Sequence, residues 1–176
     1  MNKTMRGALL GLVIGSTVLP AAAADLEPLP TPIPAPDLEL LGVDGGLHRL
    51  ADHRGEVVLV NFWASWCTPC LREMPSMQRL ADSLPGSSFE ILAVNVAESR
   101  AAIEKAYSRT EVRFTALLDP ASTAFHAWQV RVLPTSFLIG PHGRVRYRVE
   151  GPVEWDSAEA IGIVESLMAD RPEKSD

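Results

Sequence analysis

Cys67 and Cys70 stand in the run Trp66-Cys67-Thr68-Pro69-Cys70 and are the two cysteines of a 176-residue chain. The run lies where a strand-like apolar segment hands over to a helix-like one, and that position gives each residue a chemical purpose. Cys67 falls near a helix N-terminus, where unpaired amides and the macrodipole favour a thiolate. Pro69 falls in the first turn, where its missing N–H costs nothing. The two-residue spacing lets Cys70 attack a mixed disulfide formed at Cys67, which makes Cys67 the nucleophile and Cys70 the resolving thiol. A purely structural disulfide would close a loop of about four residues, and loops that short stabilise least in the chain-entropy model. Redox chemistry is the stronger reading, because C-x-x-C beside a βαβ pattern is a specific signal. No metal site is expected. Two cysteines cannot build a four-cysteine zinc site, and His48, His53, His126 and His142 have no ligand-like spacing to the pair. Nothing in the chain calls for a cofactor.

The elements that must position this pair follow from periodicity. Residues 57–63 (VVLVNFW) and 89–96 (FEILAVNV) are nearly continuous apolar runs, as in strands buried on both faces. Between them, residues 68–84 carry Leu71, Met74, Met77, Leu80, Ala81 and Leu84 on one helical stripe, with a kink expected at Pro75. A helix joining two such strands implies a right-handed parallel crossover. Residues 37–41 and 47–50 flank a Gly/Asp cluster and read as an opening hairpin. Ser99 is placed to cap a helix over residues 100–109. A short strand at 115–118 and a short helix at 122–128 follow. Residues 135–139 and 145–150 alternate around Gly140-Pro141-His142-Gly143 as a closing hairpin. Asp156-Ser157-Ala158-Glu159 reads as a capping box that opens a last helix to about Met168. The expected fold class is α/β, with a mixed central sheet and helices on both faces.

The ends read differently. Lys3 and Arg6 precede an uncharged, mostly apolar run over residues 7–19, and Ala22-Ala23-Ala24 supplies an A-x-A site. Residues 1–24 therefore read as an export signal cut after Ala24, the alternative being an uncleaved anchor. No Cys stands at that site for a lipid anchor. Residues 25–36 (DLEPLPTPIPAP) read as a proline-rich linker outside the fold. Residues 37–170 form the domain, and residues 171–176 a polar tail. Export implies a compartment where disulfides persist. The formal net charge of −6 argues against a nucleic-acid groove, which needs clustered Lys and Arg.

Taken together, VNFWASWCTPCLREMP, the later LPTSFLIGPHGRV and the order of elements resemble the thioredoxin superfamily, in particular exported thiol-disulfide proteins of the TlpA/ResA/DsbE type. The likeness covers roughly residues 36–168. It implies a thioredoxin fold with an N-terminal β-hairpin and a central insert, here residues 112–128. Cys67 and Cys70 match the family's redox pair. Leu133-Pro134-Thr135 matches its cis-proline segment, whose backbone offers hydrogen bonds to an extended substrate beside the disulfide. Pro75 matches the kink proline of the active-site helix. Trp63 and Trp66 match the flanking aromatics, with Trp63 read as core. Trp66, Thr68, Pro69, Leu133 and Thr135 are thus expected at the substrate surface.

One departure bears on mechanism. Thioredoxins of the cytoplasm usually carry a buried Asp where this chain has Asn61, and an amide cannot shuttle a proton. Glu73, three residues after Cys70 and on nearly the same helix face, resembles a glutamate of the TlpA/ResA-type reductases. The resemblance gives it the role of taking the proton of Cys70, against the alternative of a solvated charge paired with an Arg. Glu98 resembles a second acidic residue near the family's active site, against the alternative of a loop-capping charge.

The function expected is an exported protein-disulfide reductase, a monomer working in the periplasm or held on the outer side of a membrane. Its partners would be apocytochrome c or a copper-delivery protein, and a membrane thiol transporter would supply electrons. The alternatives are a disulfide oxidase or isomerase of the same fold, and a redoxin-type peroxidase, for which no Thr-x-x-Cys motif is present.

Overall fold

Val57–Trp63 is buried along its whole length and forms a strand in the interior of the sheet. Its side chains alternate between two cores. Val57, Leu59 and Trp63 join one, and Val58, Val60 and Phe62 join the other. A strand with apolar surroundings on both faces has no room for a polar position, so the single interruption, Asn61, marks a place with a special partner.

The computed structural model describes residues 26–84, 86 and 88–170. In chain order the elements are β1 (Pro28–Pro34), β2 (Glu39–Leu41), β3 (Leu47–Arg49), a 3-10 turn (Leu50–His53), β4 (Val57–Trp63), α1 (Thr68–Ser83), β5 (Phe89–Val96), α2 (Arg100–Thr110), β6 (Thr115–Asp119), α3 (Thr123–Ala127), β7 (Thr135–Ile139), β8 (Arg144–Glu150) and α4 (Ala158–Ala169). Six strands form one sheet in the order β1-β8-β7-β4-β5-β6, and β2-β3 is a separate hairpin. β4, β5 and β6 are parallel, while β7, β8 and β1 add antiparallel strands. This is the expected mixed sheet. Met74, Met77 and Leu80 of α1, Ile103 of α2 and Val164 and Leu167 of α4 cover one face, in one core with Trp63 and Trp155. On the other face Leu38, Leu50, Ala124 and Trp128 pack with Phe62 and Phe137. Full burial of each such side chain is worth about 1.5–3 kcal/mol. The insert expected over residues 112–128 contains β6 and α3.

Two expectations are corrected. Of the linker expected over residues 25–36, the described residues 26–36 are not a tether outside the fold. Pro28–Pro34 is an edge strand, antiparallel to β8, with Ile33 opposite Val145 and Pro34 opposite Arg144. Proline is tolerated there because an edge strand leaves one row of amides unpaired in any case. Leu26 is buried in the α1-side core, Ala35 N donates to Gly143 O, and the Arg144 guanidinium donates to Pro32 O. The capping box is also simpler than expected. Ser157 alone caps α4, accepting from Ala160 N at 3.2 Å, while Asp156 pairs with Arg79 at 2.5 Å. The helix α1 continues through Pro75. The expected signal (1–24) and polar tail (171–176) lie outside the described residues. Among those described, no helix is long and apolar enough to cross a membrane.

Candidate active site

Parallel strands point their C-terminal ends one way, and ligands and chemistry gather there. β4 ends at Trp63, and the chain turns through Ala64, Ser65 and Trp66 into α1. Cys67 is the N-cap of α1, and the Cys70 amide donates to Cys67 Sγ at 3.3 Å. This is the amide-rich environment that favours a thiolate when the pair is reduced. The two cysteines are joined in a disulfide with their Cα atoms 5.3 Å apart. Cys67 retains 5% exposure and Cys70 none, so an incoming partner meets Cys67 first.

The turn before the pair is fastened from outside. Glu98, just past the end of β5, accepts from Ser65 N at 2.6 Å, from Ser65 Oγ at 2.5 Å and from Asn95 Nδ2 at 2.8 Å. These bonds hold its carboxyl below the ordinary value, although partial burial acts the other way. Both its oxygens are engaged with the loop, as those of a capping charge would be.

Behind the disulfide, Glu73 is 2% exposed and pairs with no arginine among the described residues. Its Oε1 accepts from Asn61 Nδ2 at 2.7 Å and its Oε2 from Val153 N at 3.0 Å. Asn61 also donates to Ser136 Oγ at 2.9 Å, which ties β4, β7 and α1 together. Burial pushes the Glu73 carboxyl up to about 7, and its interactions with Val153, Asn61 and Trp155 only partly offset it. Such a group changes protonation near neutral pH, where a general base for a thiol is most useful.

The Leu133-Pro134 peptide bond is cis. Pro134 is buried, and its carbonyl accepts from Gly151 N at 2.9 Å. Around the disulfide, Trp66 is 70% exposed, Thr68 is exposed, and Pro69 and Leu133 are half-buried. Thr135 does not belong with them. It is fully buried, its hydroxyl donates to Val132 O, and its backbone lies in the sheet between β4 and β8. Val132, exposed at 47%, stands instead at the surface before the cis bond. Trp63 is core, as expected. Among the described residues, no three His, Cys, Asp or Glu side chains are grouped to hold a metal ion.

Asn61, Ser136, Ser65 and Asn95 are the supporting residues that spacing does not single out as a set. Their one local signal is a polar residue inside an apolar run, as in VVLVNFW and FEILAVNV.

With this geometry in view, comparison with known proteins is decisive. The model of the AhpC/TSA family matches residues 33–148. The thiol-disulfide oxidoreductase ResA of Geobacillus kaustophilus (strain HTA426) is 40% identical over 125 residues, 71% of this chain and 72% of the relative. ResA of Bacillus subtilis (strain 168) is 36% identical over 147 residues, 82% of each. The chain belongs to the AhpC/TSA family, among its ResA-type thiol-disulfide oxidoreductases. A crystal structure from Chlorobium tepidum, assigned as the thiol:disulfide interchange protein DsbE, is also similar. It is 30% identical, has a TM-score of 0.68, and the match covers 80% of this chain and 96% of that one. Membership of this family makes the Cys67–Cys70 disulfide a redox centre and the protein an oxidoreductase.

Proposed function

We propose that this oxidoreductase works as a reductase of partner-protein disulfides in an exported compartment. The observation that carries the proposal is the buried Glu73 carboxyl on the helix that bears Cys70, poised near neutral pH. In the reduced enzyme Cys67 is the thiolate and Glu73 the carboxylate. The Cys67 thiolate attacks one sulfur of the partner disulfide, forming a Cys67–partner bond and releasing the partner's other sulfur as a thiolate. Glu73 takes the proton of Cys70, and the Cys70 thiolate attacks Cys67 Sγ. The Cys67–Cys70 bond forms, the partner's second thiolate leaves, and two electrons have passed to the partner. A dithiol on a membrane thiol transporter restores the reduced pair by the reverse exchange.

The substrates proposed are oxidised cysteines of apocytochrome c or of a copper-delivery protein. Trp66 beside Cys67 and Val132 before the cis bond are exposed apolar side chains available to such a chain. A Cys70→Ser variant stops the cycle at the mixed disulfide. Expressed in the exporting cell, it should accumulate covalent adducts with one of these partner classes, which dithiothreitol releases. Recovery of no adduct from the exported compartment contradicts the proposal.

A further inference from the structure

The reverse exchange can return the Glu73 proton to Cys70, but in the oxidised enzyme between the two half-reactions the groups bonded to Glu73 cannot receive it. Asn61 Nδ2 and Val153 N hold the two carboxyl oxygens as donors and have no lone pair to offer. Ser76 Oγ, one turn along α1, is engaged with Glu73 O and Val153 O and accepts from Trp155 N. The remaining side of Glu73 lines a cleft of about 140 Å³ together with Pro69, Arg72, Pro152 and Glu154. That volume holds about four waters at roughly 30 Å³ each. Arg72 and Glu154 are both exposed, so the cleft leads outwards between two charged side chains.

We propose that this cleft is the path by which Glu73 exchanges its proton with water, and that Glu154 is a positioning residue that adjusts the pH at which it does so. The inference rests on the role given to Glu73 above. The charged groups around the carboxyl are Arg72 on its own helix and Glu154 on the segment after β8, while β4 and β7 contribute the neutral Asn61 and Ser136. Glu154 follows Val153, whose amide is bonded to Glu73, and both glutamates line the same cleft. Burial is the main cause of the raised Glu73 value, and the negative charge of Glu154 adds to it by opposing ionisation. Glu154 touches no reacting atom. Its effect is transmitted wholly through Glu73.

The test compares the full chain with Glu154→Gln, Glu154→Asp, Glu73→Gln and the Glu73→Gln/Glu154→Gln double variant. Thiol alkylation and reduction of a small protein disulfide such as insulin are followed from pH 5 to 9. Glu154→Gln should move the inflection due to Glu73 to lower pH by about half a unit, the size of one partly screened charge interaction. Glu154→Asp should restore it. In the Glu73→Gln background, Glu154→Gln should move nothing. An unchanged inflection in Glu154→Gln, or a shift that persists without Glu73, overturns the assignment of the cleft while leaving the role of Glu73 standing. A Glu73→Gln profile identical to wild type overturns both.

Discussion

Asn61 donates a hydrogen bond to Glu73 across 2.7 Å, and both side chains are buried. An amide stands where it supports either protonation state of the acid without competing for the proton, and the carboxyl is left as the group that titrates. In the function proposed above this arrangement makes Glu73 the control point of the exchange, and its consequences can be measured.

Replacing Glu73 with Gln keeps the hydrogen-bond geometry and removes the base. Partner reduction should slow by about 10²-fold or more, the usual contribution of a positioned general base. In the wild type the rate should fall as pH drops through about 7, because protonated Glu73 cannot accept the Cys70 proton. Stability has the opposite sign. The folded value is raised above the ordinary 4.5, so the folded state binds the extra proton between about 4.5 and 7. Stability from this group is full below that window and is lost as pH rises through it, by up to about 3 kcal/mol. Denaturant unfolding of the oxidised wild type against Glu73→Gln at pH 4.5 and pH 8 checks this. A difference between the two proteins that does not depend on pH contradicts it.

Asn61→Asp would set a second carboxyl 2.7 Å from the first. Two carboxylates that close cannot both ionise, so the pair should share one proton near neutrality. The variant should melt lower than wild type at pH 8, with the gap narrowing towards pH 5. Equal melting temperatures at pH 8 would mean that the two groups are not coupled.

Glu98→Ala removes the acceptor of three hydrogen bonds to Ser65 and Asn95. Unfolding should become easier by about 1–3 kcal/mol, the cost of leaving such donors unsatisfied. Cys67 should react more slowly with a protein disulfide while its pH profile keeps its shape, because Glu98 positions the loop and takes no proton. A displaced pH profile would instead make Glu98 part of the proton chemistry.

Deleting the chain up to Pro34 removes β1 and bares the edge of β8. A tether could be lost without effect, but an edge strand could not. The truncated domain should melt several degrees lower, in line with the loss of about 1 kcal/mol or more from a domain of this size, and should self-associate through the open edge. An unchanged melting temperature contradicts the integration of this strand.

Why β1 escaped a reading of the sequence is instructive. Pro28, Pro30, Pro32 and Pro34 look like strand breakers locally, and their tolerance depends on a partner far along the chain. Pro32 O meets the Arg144 side chain across a separation of 112 residues. By contrast β4, α1 and β5 were legible because their apolar periodicities are local, and Cys67 and Cys70 because their spacing is local, whereas Glu73 was singled out by resemblance to a family. The bond partners of Glu73 were not legible, since Asn61 and Val153 come from other elements. Thr135 was misplaced for a similar reason. Its burial is decided by β4 on one side and β8 on the other, and a motif beside a proline carries no record of either.

The central claim, that the pair works as a reductant, is tested most directly by the reduction potential of the Cys67–Cys70 couple at pH 7, equilibrated against a glutathione or thioredoxin reference. A reductase should lie at about −270 mV or below, whereas a value near about −120 mV, where strong disulfide oxidants lie, would reverse the direction of the reaction and contradict the account.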